Sequence, residues 1–389
     1  MGNGFNQVKK RKGSASQEEK LPWELIEEIL SRVPPQSLVR FRAVCKRWNA
    51  LFDDKTFINN HKSTFRFILV TESKIYSVSI DPKIVVREIT LDIPGLKSQT
   101  PKYLVDCDEF LLCRMDKAKG GVVWNPWLKQ SRRIKAGLSS NIHGIGYNRT
   151  SDQESVYKTI WSDTKVWKIH DFVSDTWKVL LGSEFVDSDQ SNIQGENIST
   201  LHSTSGVSLN GIIYWVAFYD KTDPLYHLIY FDFSREEFSG LFCHLPCGMN
   251  DPSDALVLRV FKGNRFSLLK QCYETKKIEV WVTKNKVNVT DGDDVVWMNF
   301  MTLSIPNFPG LIPTGTSAQP SYFIDDKRLV VCSCDESGQA WIYVFGENKL
   351  IRKVQIDSVV DSWPWHCTCF PSLVPVPRGQ RDELAESQV

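Results

Sequence analysis

The chain has 389 residues, 42% of them hydrophobic, enough for one small module and one large core. Its formal net charge of +1 gives no electrostatic case for nucleic acid or an anionic membrane as partner. No apolar run approaches the roughly 20 residues that span a bilayer. Residues 1–20 read as a disordered basic tail. Within it, Lys9-Lys10-Arg11-Lys12 suits either a nuclear import signal or a solvated tail, and Asn6 stands where an N-myristoylation signal needs Ser or Thr. No secretory leader opens the chain, so the nucleus and/or the cytoplasm is expected, with its ten cysteines as reduced thiols.

Residues 21–60 carry helical periodicity. Pro22 suits a first helical turn, where its missing N–H costs nothing, and Glu24 sits near the positive helix start. Leu25, Ile26, Ile29, Leu30 and Val33 recur at the three-and-four spacing of one apolar face. Pro34 and Pro35 end that helix and start the next, which carries Leu38 and Phe41. Val44, Cys45, Trp48, Leu51 and Phe52 follow. Two or three short amphipathic helices in about forty residues make a weak core, so part of the apolar surface is expected to belong to a partner. Arg32, Arg40, Arg42, Lys46 and Arg47 rim that surface and favour an acidic one. From Asp53 to Thr64 the chain reads as a charged, polar connector.

The Leu21-Pro22 start, the Ile-Leu-Ser-Arg-Val-Pro run at 29–34 and the Arg-Ala-Val-Cys-Lys-Arg-Trp-Asn run at 42–49 resemble an F-box. That resemblance implies docking to the acidic Skp-type adaptor of a cullin-based ubiquitin ligase. Carried over by position, the adaptor-binding residues it implies are Leu21, Pro22, Leu25, Ile29, Leu38, Val44, Cys45 and Trp48.

From about residue 65 to 376 the texture is that of β-strands, rich in Val, Ile, Tyr, Trp and Phe. Strand-like segments begin at Ile75, Val122, Val166, Leu228, Ile278 and Trp341, roughly 45–65 residues apart, as in a four-stranded propeller blade. Earlier strands of the same units run from Glu109, Asn210, Arg265 and Lys327. A single such sheet cannot bury its apolar face, whereas radial stacking of about six buries them all and leaves short protected edges. The expected fold is therefore α+β multidomain: a small all-α module, then a large all-β domain, β-propeller-like with about six blades. Trp124-Asn125-Pro126, the 172–178 and 208–215 runs, the 231–238 run and Ile278–Val282 resemble the F-box-associated, kelch-like domain of plant F-box proteins. Only Gly120-Gly121 has the doubled glycine of true kelch repeats. The resemblance implies a domain that recognises an unknown protein substrate.

Signatures of chemistry are missing from the sequence, and no cofactor and no metal are expected. There is no phosphate-cradling Gly-x-x-x-x-Gly-Lys, no Gly-x-Ser-x-Gly and no His-Glu-x-x-His. His143 to Asn148 holds two of the three dinucleotide glycines and reads as strand and turn. Asp291, Asp293 and Asp294 lack the later Glu of a calcium loop. Cys332/Cys334 and Cys367/Cys369, spaced by two, read as buried thiols on strands. The chain is thus expected to be a non-catalytic receptor. The long loops at 182–206 and 306–320 are its candidate recognition elements, or else disordered insertions. Exposed rings among Trp124, Trp127, Trp161, Trp363 and Trp365 are candidate binding hot spots. An alternative is a glycan-binding or other interaction module that recognises sugars through surface Trp. A propeller-type hydrolase or lyase would need a polar cluster lining the central channel, and the sequence offers none. Residues 377–389 read as a disordered tail.

Overall fold

The computed structural model describes residues 21–378, except 92, 94–99, 108, 116–119, 136–140, 150–154, 163–165, 181–184, 187–198, 203–205, 220–224, 247, 249–250, 252, 263, 288–294, 315–317, 326 and 360. The basic cluster at 9–12, Asn6, the aspartates at 291–294 and nearly all of the C-terminal tail lie outside the described residues. The chain divides into two units after Ser63.

Among its described residues the first unit has four helices: α1 (Trp23–Leu30), α2 (Pro35–Phe41), α3 (Lys46–Asp53) and α4 (Lys55–Asn60). Pro22 precedes α1, and Pro35 occupies the first turn of α2, where a missing N–H is harmless. Cys45 caps α3, its Sγ accepting the Trp48 N–H at 3.5 Å. The stretch read as a connector is itself helical, because Asp54 caps α4 through the Thr56 N–H at 2.7 Å. Phe57 on that helix is buried against Phe52, with ring centroids 5.8 Å apart. Phe41, Trp48 and Phe52 extend this aromatic ladder. His61 Nε2 meets the Val33 carbonyl at 2.9 Å and ties the end of the unit to the end of its first helix.

In the second unit the strands follow one another as meanders. The first sheet holds β1 (Phe67–Val70), β2 (Ile75–Ser79) and β3 (Val85–Ile89), and the second β4 (Tyr103–Cys107), β5 (Phe110–Met115), β6 (Gly120–Asn125) and β7 (Gln130–Lys135). The third holds β8 (Asn141–Arg149), β9 (Ser155–Ser162), β10 (Trp167–Asp171) and β11 (Thr176–Leu180). The fourth holds β12 (Phe185–Val186), β13 (Ser199–Leu201), β14 (Val207–Leu209), β15 (Ile212–Phe218), β16 (His227–Asp232) and β17 (Glu237–His244). The fifth runs β18 (Ala255–Phe261), β19 (Arg265–Gln271), β20 (Ile278–Thr283) and β21 (Trp297–Leu303). The sixth runs β22 (Ser321–Asp325), β23 (Arg328–Cys334), β24 (Ala340–Gly346) and β25 (Lys349–Gln355), and β26 (Trp365–Thr368) follows.

These are the blades of a six-bladed β-propeller. β26 returns to the first sheet and pairs with β1, Phe67 opposite Thr368 and Val70 opposite Trp365, so the last strand closes the ring. In the fourth blade β13 and β14 share the inner edge of β15, as one interrupted inner strand. Each of the six strand-like segments read from the sequence falls on the third strand of a blade: β2, β6, β10, β16, β20 and β24. The core lies between neighbouring sheets. Phe67 and Val78 of the first pack with Val330 and Ile342 of the sixth, and Leu269 and Val280 of the fifth with Val331 and Tyr343 of the sixth. The 182–206 loop departs from expectation, since its described residues include β12 and β13.

Candidate functional site

Helix α1 divides its apolar stripe between two environments. Leu30 is buried and Ile26 half-buried, forming the inner side. Leu25 and Ile29, one helical turn apart, are 50% and 55% exposed. Leu21 is 48% exposed ahead of the helix, Pro22 is exposed beside it, and Val44 is 59% exposed before α3. The Arg47 guanidinium lies 3.6 Å from the Trp23 ring centroid, which brings the start of α3 against the start of α1. Cys45 is exposed and Trp48 half-buried at that junction. Leu38 differs from the other predicted contact residues. It is fully buried, because α2 turns it into the core of the unit, and so it supports the face rather than forming part of it. The basic rim is also weaker than the sequence suggests. Arg32 pairs with Glu28 at 2.5 Å and Arg42 with Asp53 at 2.7 Å, while Arg40 and Lys46 stay exposed.

The propeller's central channel encloses a cavity of about 350 Å³. Every blade's inner strand contributes to its wall: Asp106 from β4, Asn141 from β8, Val207 from β14, Arg259 from β18, Ser321 from β22 and His366 from β26. A polar cluster therefore does line the channel, contrary to the expectation from sequence. Arg259 faces Asp106 at 3.6 Å, and Thr368 Oγ1 donates to the same carboxylate at 2.5 Å. Ser321 Oγ lies 2.9 Å from His366 Nδ1. Burial, and then the Arg259 charge, push the His366 imidazole down to about 4, so it is neutral at pH 7. Where the channel opens, the Tyr103 and Trp365 rings meet edge to face at 5.3 Å. Arg114 lies 6.0 Å from the Tyr103 ring centroid and donates to Asn141 Oδ1 at 2.6 Å. Ala318, Gln319 and Pro320, from the 306–320 loop, border the same cavity. Gln271 holds the described part of that loop at 309–311, donating to the Pro309 carbonyl at 3.0 Å and accepting the Leu311 N–H at 2.6 Å.

Residues 19–60 match the F-box domain, and residues 66–376 match the F-box associated beta propeller domain. The chain is 60% identical to the F-box/kelch-repeat protein At3g16580 of Arabidopsis thaliana, over 95% of this chain and 96% of that one. It belongs to the plant F-box proteins. Membership supports a substrate-adaptor role in a ubiquitin ligase of the Skp–cullin–F-box type. The protein SUPPRESSOR OF NIM1 1 of the same plant is 42% identical over 92% of this chain and 98% of its own length. A chain of a nidogen–laminin complex covers 79% of this one, and is itself covered in full, at 10% identity and a TM-score of 0.45, too distant to carry an argument.

In this F-box protein the signature residues turn out to be hairpin residues. Asn125, Asp171 and Asp232 each end a third strand, and each side chain accepts backbone N–H groups two or three residues on. The turns close with Lys129, Asp175 and Glu236 at φ of 54°, 54° and 57°. Phe172 and Phe233 point from those turns into the core. His143 to Asn148 is continuous strand within β8 rather than strand and turn. Cys332, Cys334, Cys367 and Cys369 are buried, and burial raises their thiol pKa values, so they stay protonated and unreactive. Of the five tryptophans read as candidate binding hot spots, Trp124, Trp127 and Trp161 are buried and Trp363 and Trp365 are exposed.

Proposed function

We propose that this F-box protein is the non-catalytic substrate receptor of a Skp–cullin–F-box ligase. The observation that carries the reading is the exposed α1 face. Leu25 and Ile29 stay open to solvent on a helix whose other side is core. Such a patch on a small module calls for a partner. Leu21, Pro22, Leu25, Ile29 and Val44 form the contact surface for a Skp-type adaptor, and through it a cullin, with Cys45 and Trp48 at its margin. Leu38 holds that surface from beneath. The propeller captures a protein at the channel end bordered by Trp365, Tyr103 and the 306–320 loop. The receptor contributes proximity, raising the effective concentration of substrate lysines near an activated ubiquitin supplied by its partners. Burial of Trp124, Trp127 and Trp161 leaves Trp363 and Trp365 as the exposed rings, among those five, for a captured protein or, in the alternative, a glycan. The nucleus and/or the cytoplasm suits a protein whose described cysteines are free thiols.

Co-expression with a Skp-type adaptor and a cullin tests the reading. Wild-type protein should elute with both in one complex. The Leu21→Ala/Pro22→Ala variant should elute apart from them with the propeller's melting transition unchanged. Wild-type protein eluting alone would overturn the proposal.

A further inference from the structure

Several residues of the channel wall carry buried side-chain nitrogens with no hydrogen-bond partner among the described residues. Arg259 has a side chain only 19% exposed, yet its guanidinium makes no hydrogen bond among the described residues. Its ion-pair partner Asp106 stands off at 3.6 Å while accepting from Thr368. His202 Nε2 and Trp215 Nε1 belong to the same cavity wall and are also buried without a partner among the described residues. Arg114, at the opening, bonds to the neutral side chain of Asn141. The described wall thus sets two arginines against one carboxylate, Asp106.

A guanidinium taken out of water without acceptors is costly, and a planar anion is its natural complement. The cavity, about 350 Å³, is larger than an inorganic ion requires and falls in the range of small-ligand sites. Tyr103 and Trp365 add flat apolar surface at the opening.

We propose that the propeller's central channel binds a carboxylate, seated on the Arg259 guanidinium, with the body of the ligand lying against Tyr103 and Trp365 toward Arg114. The carboxylate is borne either by a small organic acid or by an acidic side chain of the captured protein. Its role in capture rests on the receptor reading above, whereas the binding itself does not. Adaptor assembly without carboxylate binding would sink this proposal alone.

The test uses full-length protein at matched ionic strength. One arm titrates benzoate and its neutral counterpart benzamide. The other titrates an end-blocked alanine–glycine octapeptide carrying one Glu, and the same peptide with Gln. The acid of at least one pair should bind and raise the melting temperature, with its neutral counterpart weaker by about tenfold or more. Preference for benzoate assigns a free small acid, and preference for the Glu peptide alone assigns a protein side chain. The Asp106→Asn/Arg259→Met variant removes both charges together and should lose the preference. A preference retained in that folded variant would overturn the proposal. So would equal binding, or none, of acid and neutral forms in both arms, a result that needs only the wild-type protein.

Discussion

His366 sits 2.9 Å from Ser321 Oγ in a channel that also holds Arg259 and Asp106. Burial and the arginine charge hold its folded pKa at about 4, against an ordinary 6.5. As pH falls, the unfolded chain takes the proton first. This contribution to stability is therefore full above pH 6.5, is lost between 6.5 and about 4, and is flat below that. His366→Gln should make the melting temperature fall less steeply across that window. An identical pH slope in the variant would show that this imidazole does not titrate as argued. None of the channel chemistry was legible in the sequence. Asp106, Arg259, Ser321 and His366 have no common spacing, and only radial stacking of the inner strands brings them to one wall.

At the level of elements, local periodicity was informative and the partition of faces was not. The third strands could be read because each ends in an Asx-closed turn or an alternating apolar run. Helix α1 was legible as an apolar stripe, but which side would stay open depends on how α2 and α3 pack, and Leu38 fell on the inner side for the same reason. α4 was hidden because only six residues carry it and just one of them, Phe57, is buried. Gly144 and Gly146 supply two of the three glycines of a dinucleotide-binding pattern, in a segment that reads as strand and turn. Their spacing of two is instead that of one face of β8, laid against the next blade. A Cβ on Gly146 would lie 2.2 Å from the Gly211 carbonyl oxygen and 2.4 Å from the Phe233 ring. Backbone cannot yield as a flexible side-chain end can, so Gly146→Ala should cost about 1–3 kcal/mol or more. Urea unfolding checks this, and an unshifted midpoint would contradict the blade-to-blade contact.

For the whole molecule, the repeat spacing set the number of blades, while the closure was invisible. β26 meets β1 from the far end of the chain, and no local pattern announces a pairing of Phe67 with Thr368. In the proposed function, adaptor docking and substrate capture would fall on separate units, one helical and one built of strands. We infer that the exposed α1 face docks the adaptor. This central claim is tested most directly by titrating purified Skp-type adaptor into full-length protein, wild type beside Leu25→Asp/Ile29→Asp. Both positions are half open, so the variant should melt as the wild type does. Carboxylates forced into a dry apolar contact should weaken binding by about a hundredfold or more. Undiminished affinity in the variant would place the adaptor elsewhere and contradict the account.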